Sequence, residues 1–107
     1  MMMVLFNTEP RGDIDAAGYQ QAGERMYELV SRMPGFVSAK RYAAEDGESF
    51  VMVKFESEEA LEAWRRHPEH VEMQQRGRAE FYERYWVLVC KSVREYEWRR
   101  DAASATG

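Results

Sequence analysis

The stretch Phe36-Val37-Ser38-Ala39-Lys40-Arg41-Tyr42-Ala43-Ala44-Glu45-Asp46-Gly47-Glu48-Ser49-Phe50-Val51-Met52-Val53-Lys54-Phe55 decides how the rest of the chain is read. Two extended runs, 36–44 and 48–55, flank Glu45-Asp46-Gly47, and an Asp-Gly pair is suited to the positive φ angles of a tight hairpin turn. On the second run Val51, Val53 and Phe55 form one wholly apolar row, while Phe50 and Met52 share the opposite row with Lys54. A hairpin with apolar side chains on both faces belongs inside a larger sheet that is covered on both sides.

Upstream of the hairpin, Asp13 or Asp15 can cap a helix in which Tyr19, Ala22, Met26, Leu29, Val30 and Met33 recur at helical spacing, until Pro34-Gly35 ends the pattern. Ahead of that helix, the apolar run Met2 to Phe6 reads as a buried first strand that meets the breaker Glu9-Pro10-Arg11-Gly12. Downstream, Ser57 precedes Glu58-Glu59, which places a capping oxygen and two negative charges at a helix start, and Leu61 and Trp64 share one face before Pro68. A further helical stretch, 69–76, stops near Gly77, and a connecting turn carries Phe81 and Tyr82. Tyr85 to Tyr96 alternates as a long last strand. Strand, helix, strand, strand, helix, strand predicts a ferredoxin-like α+β fold: a four-stranded antiparallel sheet with helices on one face. Residues 1–98 are read as one domain, and 99–107, ending in small and polar side chains, as a disordered tail.

With 107 residues there is material for one core. The net charge of -4 comes from interleaved acids and bases, the pattern of a solvated surface. Arg65, Arg66, Arg76, Arg78 and Arg84 are diluted by Glu72, Glu80 and Glu83, which argues against a nucleic-acid partner. Cys90 is the only cysteine, so no intrachain disulfide can form, and its apolar neighbours mark it as a small buried hydrophobe. No apolar run approaches the roughly 20 residues that cross a bilayer. Met1 to Phe6 is too short for a signal peptide, so no membrane partner and a cytoplasmic location are expected.

On the last strand Tyr85, Val87, Val89 and Val93 point one way, and Trp86, Leu88, Cys90, Tyr96 and Trp98 the other. One helix layer covers only one of these rows, so a homodimer that buries the second is expected.

Several segments together resemble the antibiotic biosynthesis monooxygenase family of dimeric α/β barrel proteins. They are Met33-Pro34-Gly35-Phe36, Asp46-Gly47-Glu48, Trp64-Arg65-Arg66-His67-Pro68-Glu69-His70, Arg76-Gly77-Arg78, and Tyr82 with Tyr85. The resemblance runs from the first strand to about Tyr96. It implies two sheets facing each other across a two-fold axis, a cavity between sheet and helices in each subunit, and a small aromatic or polyketide-like substrate oxygenated without a cofactor. The candidate catalytic residues are Trp64, His70, Arg84 and Asn7, with Phe81, Tyr82 and His67 contacting substrate.

Each candidate has a chemical reason. The Trp64 indole can stack on a flat substrate, a histidine can exchange a proton near neutral pH, Asn7 can hold a carbonyl or bound oxygen, and Arg84 can stabilise a developing phenolate. His67 is equally suited to capping its loop, and Arg84 to an ion pair with Glu80 or Glu83. Cofactor-free quinone-forming members resemble this chain at Trp64 and Arg84. His70 stands where their tyrosine is expected, and Ala60 where an asparagine is. Haem-degrading members resemble it at Asn7 and Trp64, but His70 comes about one turn before their ligand histidine and Gln74 stands nearer that place. Two imidazoles alone do not make a metal site, so none is expected. The competing readings are a non-catalytic ligand-binding or stress-response barrel and, third, a haem-degrading monooxygenase.

Overall fold

The computed structural model describes residues 1–101. The tail expected to be disordered falls mostly on 102–107, outside the described residues; within its described part, Arg99 pairs with Glu97 and 100–101 form a turn.

The elements are β1 (Met2–Pro10), α1 (Ala16–Ser31), β2 (Phe36–Ala43), β3 (Ser49–Phe55), α2 (Glu58–Arg65), α3 (Pro68–Arg76), a π-helical turn (Gly77–Phe81) and β4 (Tyr82–Lys91). The four strands form one sheet in the order β2-β3-β1-β4, every neighbouring pair antiparallel. This is the ferredoxin-like α+β fold expected from the sequence.

The hairpin between β2 and β3 closes as a loop of Glu45, Asp46 and Gly47. The Ala44 N–H donates to the Glu48 carbonyl at 2.7 Å and the Gly47 N–H to the Ala44 carbonyl at 3.1 Å. Only Gly47 takes a positive φ, 91°, so the expectation of positive angles along the whole Asp-Gly pair is corrected. Asp46 contributes instead through its side chain, whose Oδ1 accepts from the Glu48 N–H at 2.9 Å.

Pairing across the sheet assigns its two faces. Met2 stands opposite Phe55, Val4 opposite Val53 and Phe6 opposite Val51, and this row meets the helices. Met2, Phe55, Val30 of α1, and Ala60, Leu61 and Trp64 of α2 form the core, with Phe55 fully buried at 0% exposure. The cap on α2 is as read, the Ser57 hydroxyl accepting from the Ala60 N–H at 3.1 Å. Asp15 precedes α1, but its side chain makes no capping hydrogen bond. Gly35, at φ 82°, lets α2 sit close, since a Cβ there would lie 2.6 Å from that of Ala60.

Strand β4 departs from expectation at both ends. It starts at Tyr82, which the sequence reading placed in a turn, and stops at Lys91 rather than Tyr96. Lys91 stands opposite Met2, and the Ser92 N–H makes one last bond to the Met1 carbonyl at 3.0 Å. Val93, Tyr96 and Trp98 lie beyond the end of the strand and stand exposed. A register shift between Glu9 and Pro10 marks a bulge in β4: Tyr82 pairs with Pro10 and Arg84 with Glu9. The extra residue puts Tyr82 and Tyr85, three positions apart, on the same face, which a regular strand would forbid.

The face away from the helices carries Met3, Leu5, Phe50, Met52, Trp86, Leu88 and Cys90, as the pairing of Leu5 with Met52 and Leu88 requires. No helix among the described residues covers it, and Leu88 is 50% exposed. Cys90 is half-buried on this face, less enclosed than its apolar neighbours suggested.

Candidate functional site

The candidate residues fall into two clusters on the helix side of the sheet, while Asn7 and Arg84, the latter opposite Glu9, are turned by alternation to the other side. The first cluster forms at the corner between α2 and α3. Trp64 is buried in the core near Met2. Its carbonyl accepts from the His67 N–H at 3.0 Å, which closes α2. Pro68 then begins α3, where its missing N–H costs nothing, and the His67 Nδ1 accepts from the Glu69 N–H at 3.2 Å as the cap.

The turn brings His70 back over Trp64. The two rings stack with centroids 4.2 Å apart and planes at 15°. The His70 Nδ1 lies 3.1 Å from the Trp64 carbonyl oxygen. A carbonyl only accepts, so Nδ1 carries the proton and Nε2 keeps its lone pair in the neutral ring. Burial pushes the His70 pKa down, opposed by the hydrogen bond to Trp64 and reinforced by the nearby His67. The result is a neutral imidazole with one basic edge.

The second cluster lies further along β1. Phe6 meets Tyr82 at 6.0 Å and Tyr85 at 5.9 Å between centroids, Tyr82 meets Tyr85 at 5.7 Å, and Tyr19 packs on Phe81 at 5.4 Å. Tyr19 also shares a hydrogen bond with Thr8 at 3.1 Å. Burial, with Tyr19 and Tyr85 alongside, pushes the Tyr82 pKa up to about 12. The π-helical turn delivers these rings, and Tyr82 folds back on Gly77, where a Cβ would collide with its ring.

Two guanidiniums border the cluster. That of Arg76 lies over Phe81 and pairs with Glu80 at 2.7 Å. That of Arg78 lies over Tyr85, and its Nε donates to the Tyr85 hydroxyl at 2.8 Å. Arg78, Tyr82, Glu83, Arg84 and Tyr85 enclose an open pocket of about 300 Å3. Glu80 is taken by Arg76, and among the described residues Arg84 has no ion-pair partner.

Met2 and Phe6, one beside each cluster, are about 13 Å apart along the strand. On this side of the sheet β4 presents Val87 and Val89, each about half exposed at 49% and 52% because no helix lies over the edge strand. Asn7 stands apart. Alternation turns it to the face away from the helices, where it is buried and its Nδ2 donates to the Ser49 carbonyl.

Phe81 and Tyr82 are thus brought together, as are Trp64, His67 and His70, while Arg84 borders the pocket beside Tyr82 from the far face of the strand. Asn7 joins neither group. Arg78, Tyr85 and Gly77 border the second cluster and were left out of the candidate set. Among the described residues, no three His, Cys, Asp or Glu side chains gather as metal ligands. For a haem, the corner offers only the Nε2 edge of His70, whose face is already covered by the indole.

A sheet of this topology with helices on one face and an aromatic site at the α2–α3 corner defines a class, and the comparisons place the chain within it. The antibiotic biosynthesis monooxygenase family model matches residues 1–76, and the chain belongs to that family. It is 35% identical over 78 residues to YqjZ, an uncharacterized protein of Bacillus subtilis (strain 168), covering 73% of this chain and 68% of the relative. In fold it is similar to Rv0793 from Mycobacterium tuberculosis, with a TM-score of 0.74 at 20% identity over 90% of this chain and 98% of that one. It is also similar to SnoaB, a cofactor-independent oxygenase from Streptomyces nogalater, with a TM-score of 0.68 at 16% identity over 88% and 93% of the two chains.

Proposed function

We propose that this protein is a homodimeric, cofactor-independent monooxygenase acting on a small, electron-rich aromatic or polyketide-like substrate. The observation that carries the reading is the tautomer of His70. With Nδ1–H spent on the Trp64 carbonyl and the ring held neutral, Nε2 is a base poised beside an aromatic plane. Family membership supports it, as does the fold shared with an oxygenase that needs no cofactor.

In this reading the substrate lies over the apolar strip of Val87 and Val89, between the Trp64 corner and the tyrosines. The His70 Nε2 removes a proton from a phenol or the carbon beside it. The resulting anion passes electrons to dioxygen, and recombination leaves a hydroperoxide on the ring carbon. Loss of water then gives the quinone, so dioxygen is both oxidant and source of the inserted oxygen atom. Arg84, turned to the far face of β4 but bordering the tyrosine pocket, adds positive charge at that end of the site without direct contact with the anion. Asn7 has no direct part in this scheme unless the partner subunit brings the far face of the sheet into the site.

The dimer is proposed from the uncovered apolar face. Burying Met3, Leu5, Phe50, Met52, Trp86 and Leu88 against the same face of a second copy satisfies an isologous two-fold contact. Tyr96 and Trp98, exposed beyond the end of β4, are further aromatic side chains of the kind that interfaces favour.

Incubating the protein with a panel of hydroxylated anthrones and naphthols under oxygen tests the reading. Quinone formation that His70→Phe abolishes supports it. Absence of turnover across the panel refutes it and leaves the ligand-binding alternative.

A further inference from the structure

Hydrogen-bond donors dominate the pocket at the end of the sheet, and that chemistry constrains what it takes. Arg78 spends its Nε on the Tyr85 hydroxyl, while its two Nη groups make no hydrogen bond to any described residue. The Tyr85 oxygen accepts from Arg78, and its own O–H donates to no described residue. Arg84 adds a second guanidinium without an ion-pair partner among the described residues, while Arg76, by contrast, is neutralised by Glu80. Against these donors the pocket holds a single carboxylate, Glu83, so its charge is net positive. A guanidinium has no acceptor capacity, and a phenol whose oxygen is occupied has little. The rings of Tyr82 and Tyr85 form an aromatic wall in the same pocket.

Two irregularities of the backbone meet here. The π-helical turn Gly77–Phe81 brings in Arg78, and the bulge in β4 turns Tyr82 onto the face of Tyr85. Each gives up regular hydrogen bonding, and such departures concentrate at binding sites.

The geometry points to an anion-recognition site in which Arg78 binds the carboxylate of an aromatic acid, Arg84 adds charge at the rim from the far face of β4, and Tyr82 and Tyr85 flank its ring. Resting on the oxygenase reading, this names the substrate class: an acidic hydroxyarene, held by its carboxylate at the tyrosine end while its reacting ring reaches toward His70. The fork of Arg78 suits a carboxylate, which two parallel N–H donors can grip.

The test is equilibrium binding to the intact protein without oxygen, comparing hydroxynaphthoic acid with the naphthol that lacks its carboxyl group. The acid is expected to bind about tenfold more tightly, the size of one charge-assisted contact. Arg78→Gln should erase that preference, read as the ratio of the two affinities, and Arg78→Lys should restore part of it. Arg84→Gln should reduce the preference by a smaller factor. Equal affinity for the two probes overturns the assignment, as does a preference that survives the double Arg78→Gln, Arg84→Gln variant. Because no turnover is needed, a preference for the acid without oxygenation sinks the oxygenase reading alone. Oxygenation of acid and naphthol with equal affinity sinks the anion site alone.

Discussion

The imidazole of His70 lies face to face with the indole of Trp64 at 4.2 Å and donates from Nδ1 to the carbonyl of that same residue. One residue thus sets the plane, the tautomer and the burial of the other. The arrangement depends on the chain turning sharply at His67-Pro68, and a helix running unbroken from α2 would carry His70 away from the ring it covers.

The burial of His70 links protonation to stability. Its pKa in the fold lies below the ordinary 6.5. Between the two values the unfolded chain binds more protons than the folded one, so this contribution is complete above about 6.5 and is lost as pH falls toward the folded value. Denaturant melts at stepped pH should show stability declining on the acid side, and His70→Phe, which keeps a stacked ring, should flatten that part of the profile. An unchanged slope in the variant would remove His70 from the account.

Tyr82 should ionise well above the ordinary range of a phenol. Its pKa near 12 comes first from burial. Here the sign is reversed: the contribution is intact below pH 10 and lost as pH rises toward the folded value. Spectrophotometric titration should show one late phenol that Tyr82→Phe removes. Gly77→Ala should displace the ring, lower that late transition and cost about 1–3 kcal/mol through overpacking. A Gly77→Ala protein with wild-type stability and titration would contradict the described seat of Tyr82.

On the uncovered face, Leu88→Glu should convert the dimer to monomer. It sets a charge at the centre of the apolar face, opposite Leu5. Sedimentation equilibrium reads the result, with Tyr27→Glu on exposed α1 as a control that stays dimeric. A wild-type protein that sediments as a monomer would overturn the proposed contact.

Much of the fold was legible because its signals are local. The Asp46-Gly47 turn, the Ser57 cap and the Pro34-Gly35 stop each act within a few residues, and the alternation of Val51, Val53 and Phe55 reports a face directly. The end of β4 was not legible from β4. The apolar alternation continues through Val93, but pairing stops at Lys91, opposite Met2, and where a strand loses its partner is decided by the partner strand and not by its own alternation. The π-helical turn and the bulge left no mark either, because Gly77 reads as an ordinary helix stop and nothing in Tyr82-Glu83-Arg84-Tyr85 announces an extra residue. Without those two features Arg78 could not be seen to join Tyr85. Trp64, His67 and His70 belong to one run around Pro68 that carries the family resemblance, but the stacking that fixes the His70 tautomer was not legible in it. Asn7 was chosen for its amide and its place on the first strand, and the strand's own parity turns it to the opposite face.

The central claim is that the chain itself, with His70 as base, lets a substrate anion react with dioxygen. The most direct measurement is turnover of a hydroxylated anthrone or naphthol under heavy-isotope dioxygen, with chelator present, followed by mass spectrometry of the product. The account predicts one labelled oxygen atom per quinone, no requirement for added flavin, haem or metal, and loss of labelled product in His70→Phe. Unlabelled product, or turnover that survives His70→Phe intact, would contradict it.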